Sequence, residues 1–159
     1  MKFHKITVKN FKPWMKETEI QLYSQSNADN PITANVGMNH AGKTSICDAV
    51  LWSIYGSEES QHWDQWVNIP AIEIAKAKND ETVPISAKLD LEIEGQRFQI
   101  IRSAQYNINT NVPEDVKVSV IDNNGNPIGD NDASQDWIDD EFPEQYISKY
   151  YIFSAEQML

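Results

Sequence analysis

The chain has 159 residues, 40% of them hydrophobic, a formal net charge of −11 and one cysteine. That composition fits a globular chain and not a disordered one, and excludes an internal disulfide, and no apolar run reaches the ~20 residues of a membrane helix or the pattern of a secretion signal. These features point to a globular, cytoplasmic domain with one real core. The charge is uneven: residues 1–50 carry six lysines and four acids, residues 51–159 seven basic residues and twenty acids. An acidic surface repels phosphate backbones, so the chain by itself is expected to bind nucleic acid weakly or not at all.

Residues 3–11 alternate apolar and polar side chains and predict a strand ended by Pro13. Residues 17–23 predict a second strand, antiparallel to the first. A polar loop with Asn-Ala-Asp-Asn-Pro turn chemistry follows.

Residues 32–56 organise the rest. A short apolar strand runs into Gly37, the loop Met38-Asn39-His40-Ala41 follows, then Gly42-Lys43-Thr44-Ser45, then an apolar helix that stops at Gly56. Strand, G-x-x-x-x-G-K-[ST], helix is the order of a phosphate-binding P-loop. Glycines let successive backbone N–H groups converge on one anion, and the helix start adds unpaired N–H groups and a positive dipole end. In that chemistry Lys43 reaches the β- and γ-phosphates, the Thr44 hydroxyl ligates Mg²⁺, and Ser45 supplies a further hydroxyl. Residues 37–45 are therefore the expected nucleotide site. His40 stands where many such loops carry glycine, and histidine tolerates positive φ better than most residues.

The helix after the loop is apolar around nearly its whole circumference, which predicts burial between layers, Cys47 included. In the polar connection 57–68, Trp63 and Trp66 read as packed aromatics in preference to base-stacking ones. Residues 70–78 predict a short helix with Pro70 near its start. Residues 82–93 alternate, Glu94-Gly95 turns the chain, and residues 97–103 return, which is a hairpin. A second hairpin is read from the alternation of Val116, Val118 and Val120 and a type I′ turn at Asn124-Gly125. Residues 133–141 suggest an acidic helix, and Tyr150–Phe153 a buried strand. The fold class is α/β: a P-loop core flanked by antiparallel β-hairpins.

A P-loop ATPase also needs an apolar strand ending in an acid. Val118-Ser119-Val120-Ile121-Asp122 comes nearest, but Asp122 runs straight into a turn. The general-base carboxylate is absent from this reading, so the catalytic residue is unknown. That absence, with the apolar end at Met158-Leu159, predicts the front part of a longer protein.

Three stretches carry a resemblance: Ile6-Thr7-Val8-Lys9-Asn10-Phe11-Lys12, Asn35 to Ser45, and Ala49-Val50-Leu51-Trp52-Ser53-Ile54-Tyr55-Gly56. They are similar to the N-terminal lobe of SMC-like, ABC-type P-loop ATPases (AAA domain), among them chromosome-maintenance proteins and the ATPase of the double-strand-break repair nuclease complex. Residues 66–72, 95–103 and 150–157 look most like the DndD type, the ATPase of bacterial DNA sulfur-modification and phage-defence systems.

The resemblance implies ATP and Mg²⁺ as cofactors, with Gly37–Ser45 as the nucleotide site and Thr44 on the metal. It also implies a coiled coil leading to a C-terminal lobe of the same protein, and a second head as homodimer partner. DNA would be engaged by the full assembly. Lys12 matches a basic position near the nucleotide. Ser154 or Gln157 would be a further Mg²⁺ ligand in the terminal loop, although Ser154-Ala155 stands where relatives carry Gln-Gly or Asp-Gly. Arg102 is expected to form an internal ion pair. The expected function is an ATP·Mg-binding head lobe in DNA modification, repair or anti-phage defence. Hydrolysis is expected only in the completed dimer, this chain alone being inactive. The alternative is a scaffold module with a degenerate P-loop and terminal loop. A small-molecule kinase would need a lid with arginines, and Arg97 and Arg102 share one predicted strand.

Overall fold

In the computed structural model the residues described are 1–22, 42–56 and 66–142. Their elements run β1 (Lys2–Lys9), β2 (Thr18–Gln21), α1 (Lys43–Tyr55), α2 (Ile69–Lys78), β3 (Thr82–Ile93), β4 (Gln96–Asn107), β5 (Val112–Asp122) and α3 (Asn131–Glu141). The five strands form one antiparallel sheet in the order β2-β1-β3-β4-β5.

Strand alternation gives the sheet its two faces. Across β1, β3, β4 and β5 the register aligns Ile6, Leu89, Ile100 and Val120 in one row and Val8, Ala87, Arg102 and Val118 in the next. All eight are buried. The opposite face carries Lys5, Asp90 and Gln99, with Lys5 bonded to Glu19 at 2.7 Å and Gln99 donating to Asp90 at 2.5 Å. A sheet with one apolar and one polar face buries only the first.

Helix α1 packs on β1, β3 and β4. None of residues 44–55 is exposed, and Ala49, Val50, Trp52 and Ile54 are buried. The expected burial is met on the face turned to the sheet, while Ile46, Cys47, Leu51 and Tyr55 are half-buried. Phe11 stacks on Trp52 with ring centroids 5.6 Å apart. Helix α2 packs on β3 and α3 on β5. Asn68 caps α2 by accepting from the Ala71 N–H at 3.1 Å, and Asp130 caps α3 through the Ala133 N–H at 3.1 Å.

Several expected boundaries shift for identifiable reasons. β1 stops at Lys9, ahead of Pro13, because Asn10 and Lys12 take φ of 50° and 46° and start a tight turn closed by Phe11 and Trp14. Pro84 is tolerated inside β3 because pairing with β1 reaches only Ser86; beyond it the Asn10 amide donates to the Pro84 carbonyl at 2.8 Å. β4 runs on to Asn107, so β5 pairs back on β4 over its length.

The type I′ turn expected at Asn124-Gly125 is not found. Type I′ needs positive φ at both residues, and only Gly125 has it, at 83°. The Gly125 N–H bonds the Asp122 carbonyl at 3.0 Å, and the Asp122 carboxylate accepts from the Asn124 and Asn126 N–H groups, each at 2.8 Å. These bonds favour a wider loop, and the return is a single bridge from Ile121 to Pro127. The strands expected before Gly37 and at Tyr150–Phe153 lie outside the described residues.

Candidate functional site

The site is built where α1 begins. Gly42 is its N-cap, with φ 87° and ψ 17°, and neither a side-chain cap nor a first-turn acid is present. The first backbone bond of the helix joins the Ile46 N–H to the Gly42 carbonyl at 3.2 Å. The N–H groups of Lys43, Thr44 and Ser45 therefore precede any intrahelical partner. They sit at the positive end of the helix dipole, with no acidic side chain in the first turn of the helix. Thr44 and Ser45 are half-buried in this first turn.

Gly42 is required on two counts. Its φ is disfavoured for any side chain, and a Cβ there would meet Pro13 Cγ at 2.9 Å and Trp14 Cζ2 at 3.2 Å. The turn after β1 thus lies directly against the start of α1.

Lys12 belongs to that turn. Its N–H donates to the Trp66 carbonyl at 2.6 Å, and its own carbonyl accepts from the Asn68 side chain at 2.7 Å. These bonds hold the backbone in its left-handed conformation. Its ammonium pairs with Asp48 of α1 and lies 5.5 Å from the centroid of the Trp66 ring. Trp66 packs edge-on to Phe11 at 5.6 Å, which is the packed role expected of it. Lys12, Gly42, Thr44 and Ser45 are therefore gathered at one end of α1. Gly37, Met38, Asn39, His40, Ala41, Ser154, Gln157 and Trp63 lie outside the described residues. Lys43 is placed through its backbone, as the first residue of α1.

Sequence patterns do not single out Asp48, Trp14 or Asn68 for this site. Their only signal is their position as sequence neighbours of the lysines and the helix cap. Cys47 is half-buried, and burial together with the Asp48 charge pushes its thiol pKa up, which leaves it an unreactive packing residue. Asp122 commits its carboxylate to its own turn, where the Asn126 N–H holds its pKa below the ordinary value.

Arg102 is internal, as expected, but among the described residues its hydrogen bonds go to neutral acceptors. Nε donates to the Ser53 carbonyl at 3.2 Å, and Nη2 to the Ile54 carbonyl at 2.9 Å and to Gln135 Oε1 at 2.8 Å. Burial pushes its pKa down to about 10, while the charge of Asp139 favours the cation from a distance. Among the described residues neutral acceptors take the place of the expected ion pair, because α1 ends at this point with carbonyls that have no intrahelical partner.

The residues present fit a nucleotide phosphate. The helix start carries N–H groups with no intrahelical partner, a glycine cradle that a Cβ would fill, and two hydroxyls in the first turn. Among the described residues no group of three His, Cys, Asp or Glu side chains could hold a metal. Of the described residues, the Thr44 hydroxyl is the one in this first turn that would fit a divalent ion held by the phosphates. Among the described residues no helix is long and apolar enough to cross a membrane.

Comparison with known proteins bears on the fold and the family. The chain is similar to the SMC head domain from Thermotoga maritima, with a TM-score of 0.51 and 20% identity over 90% of this chain. It covers 43% of that chain, less than half the length of the SMC head. At this identity the likeness shows the fold, an α/β P-loop NTPase head. No curated protein matches the sequence. The profile of the AAA domain family matches residues 5–158, nearly the whole length, and the chain belongs to that family.

Proposed function

We propose that the chain is the ATP·Mg-binding N-terminal lobe of an SMC-like ATPase head. The observation that carries this reading is the start of α1: a glycine-capped helix whose Lys43, Thr44 and Ser45 N–H groups have no partner within the helix, walled by Pro13 and Trp14. In this reading the N–H groups of the loop and helix hold the phosphates. Lys43 balances the charge of the β- and γ-phosphates, and Thr44 holds Mg²⁺ through its hydroxyl. When bound, the ion neutralises charge as it develops on the transferred phosphoryl group. Lys12 stands one side chain away, exchanging Asp48 for a phosphate oxygen. Ser154 or Gln157 completes the metal site.

Hydrolysis in this reading awaits a C-terminal lobe of the same protein and a second head, since no described residue serves as general base. The role is in DNA metabolism. The stretches at 66–72, 95–103 and 150–157 support the DndD type, in DNA sulfur modification or phage defence. DNA is engaged by the full coiled-coil assembly in the cytoplasm and not by this acidic lobe.

Titration calorimetry with ATP, with and without Mg²⁺, on this chain and on Lys43→Ala tests the reading. Binding that tightens with Mg²⁺ and is lost in Lys43→Ala is expected. A folded chain, by circular dichroism, that gives no heat at about millimolar ATP (a Kd weaker than roughly −4 kcal/mol of binding) favours the scaffold alternative, to which the departure at Ser154-Ala155 also points.

A further inference from the structure

Arg102 stands in a row whose other members are Val8, Ala87 and Val118, on the apolar face of the sheet. It is only 5% exposed. A hydrophobic side chain of similar volume would fill this place without the cost of burying a cation. What such a side chain lacks is the fork of the guanidinium, whose donors lie in one plane at fixed angles. Here the fork meets acceptors on two other elements. The carbonyls of Ser53 and Ile54 belong to the last turn of α1, and Gln135 belongs to α3. The cation also faces the negative end of the α1 dipole, and Asp139 of α3 is the acid whose charge acts on it.

The chain is shaped to admit this contact. Gly56 ends α1 with φ 71°, and a Cβ on it would come 3.2 Å from Arg102 Nη1. Helix α1 is a rigid connection between this end and the phosphate-binding end. Lys43 and Ser53 lie about 15 Å apart along its axis at 1.5 Å per residue. Whatever fixes the far end of the rod also fixes where its first N–H groups point.

We propose that Arg102 is a positioning residue for the phosphate site. It anchors the C-terminal end of α1 to the sheet, so that the N–H groups of Lys43–Ser45 are held in place for phosphate. Through Gln135 it ties α3 to the same helix, so that α3 tightens when nucleotide is held. This rests on the ATP-binding reading above.

The test is hydrogen–deuterium exchange of α3 with and without ATP·Mg, read beside ATP affinity by calorimetry, in the wild-type chain, Arg102→Met, Arg102→Lys and Gln135→Leu. In the wild type, ATP·Mg raises the protection of residues 131–141. Arg102→Met binds ATP roughly tenfold more weakly, in the range of couplings carried by packed networks, and its α3 no longer responds. Arg102→Lys, which keeps the charge but not the fork, recovers part of both. Gln135→Leu, at a half-exposed position, keeps wild-type affinity and loses only the α3 response, which a purely stabilising role for Arg102 does not predict. It also decides the matter if Arg102→Met fails to fold. The proposal is overturned if ATP binds to the wild type but α3 protection does not change. It is equally overturned if folded Arg102→Met, or Gln135→Leu in its place, responds as the wild type does. If the wild type binds no ATP, the phosphate-site reading has failed and the positioning role falls with it.

Discussion

Gly42 shows how one residue can be fixed by two separate constraints. Its φ of 87° and the 2.9 Å approach that any Cβ would make to Pro13 act together. Gly42→Ala should lose roughly 1–3 kcal/mol of stability, from left-handed strain and the clash, as well as ATP affinity; urea unfolding and calorimetry would measure the two. A variant as stable as the wild type would mean that the turn at Pro13 yields.

Asp48 is a second case. Its carboxylate holds Lys12 in a partly buried pair, so Asp48→Asn should cost about 1 kcal/mol in the same unfolding measurement. Asp48, unlike Gly42, shows the limit of reading the chain alone. The glycine and lysine of the P-loop announce themselves by spacing. Asp48 is one polar residue in an apolar helix, and its partner lies in a turn whose backbone no local pattern describes.

At the scale of elements, local pattern carries furthest where strands alternate and turns are short. The β3–β4 hairpin is legible because Ile85 to Ile93 alternate and Glu94-Gly95 follows. Both turn residues take positive φ, 51° and 82°, as a type I′ turn demands. That conformation is strained for glutamate, so Glu94→Asn should stabilise the chain by about 0.5 kcal/mol, seen as a higher urea midpoint at unchanged slope. A lower midpoint would show that the Glu94 side chain contributes more than its backbone strain costs.

The loop after β5 departs from its local pattern because Asn-Gly is a hairpin signal by itself, whereas Asp122, two residues earlier, accepts both loop N–H groups and sets a different turn. The open edge of β5 is not legible at all. Asn131 accepts from the Val118 N–H at 2.6 Å and Ser134 from the Val120 N–H at 3.2 Å, contacts that exist only once α3 has docked. The direction of Arg102 toward the last carbonyls of α1 is of the same kind: its inward phase on β4 is readable, its acceptors are not.

For the molecule as a whole, the polar sheet face makes acid stability predictable in sign. Lys2 and His4 hold the Glu92 carboxyl below its ordinary 4.5, and Lys5 does the same for Glu19. A lowered folded-state pKa contributes stability that is fully present above the unfolded value and is lost as pH falls through the folded one. Thermal melts should therefore be level down to about pH 4.5 and fall below it. The fall should be shallower in a Glu19→Gln/Glu92→Gln double variant. Melts that are flat through this window would show that these pairs are too screened to matter.

Backbone amide NMR during an ATP·Mg titration tests most directly whether phosphate is held at the start of α1. The largest shifts are expected on Gly42, Lys43, Thr44 and Ser45, with Lys12 and Asp48 following, and Lys43→Ala should abolish them. Shifts confined to the polar face around Lys5, Asp90 and Gln99, or none anywhere in a folded chain at about millimolar ATP, would contradict that placement.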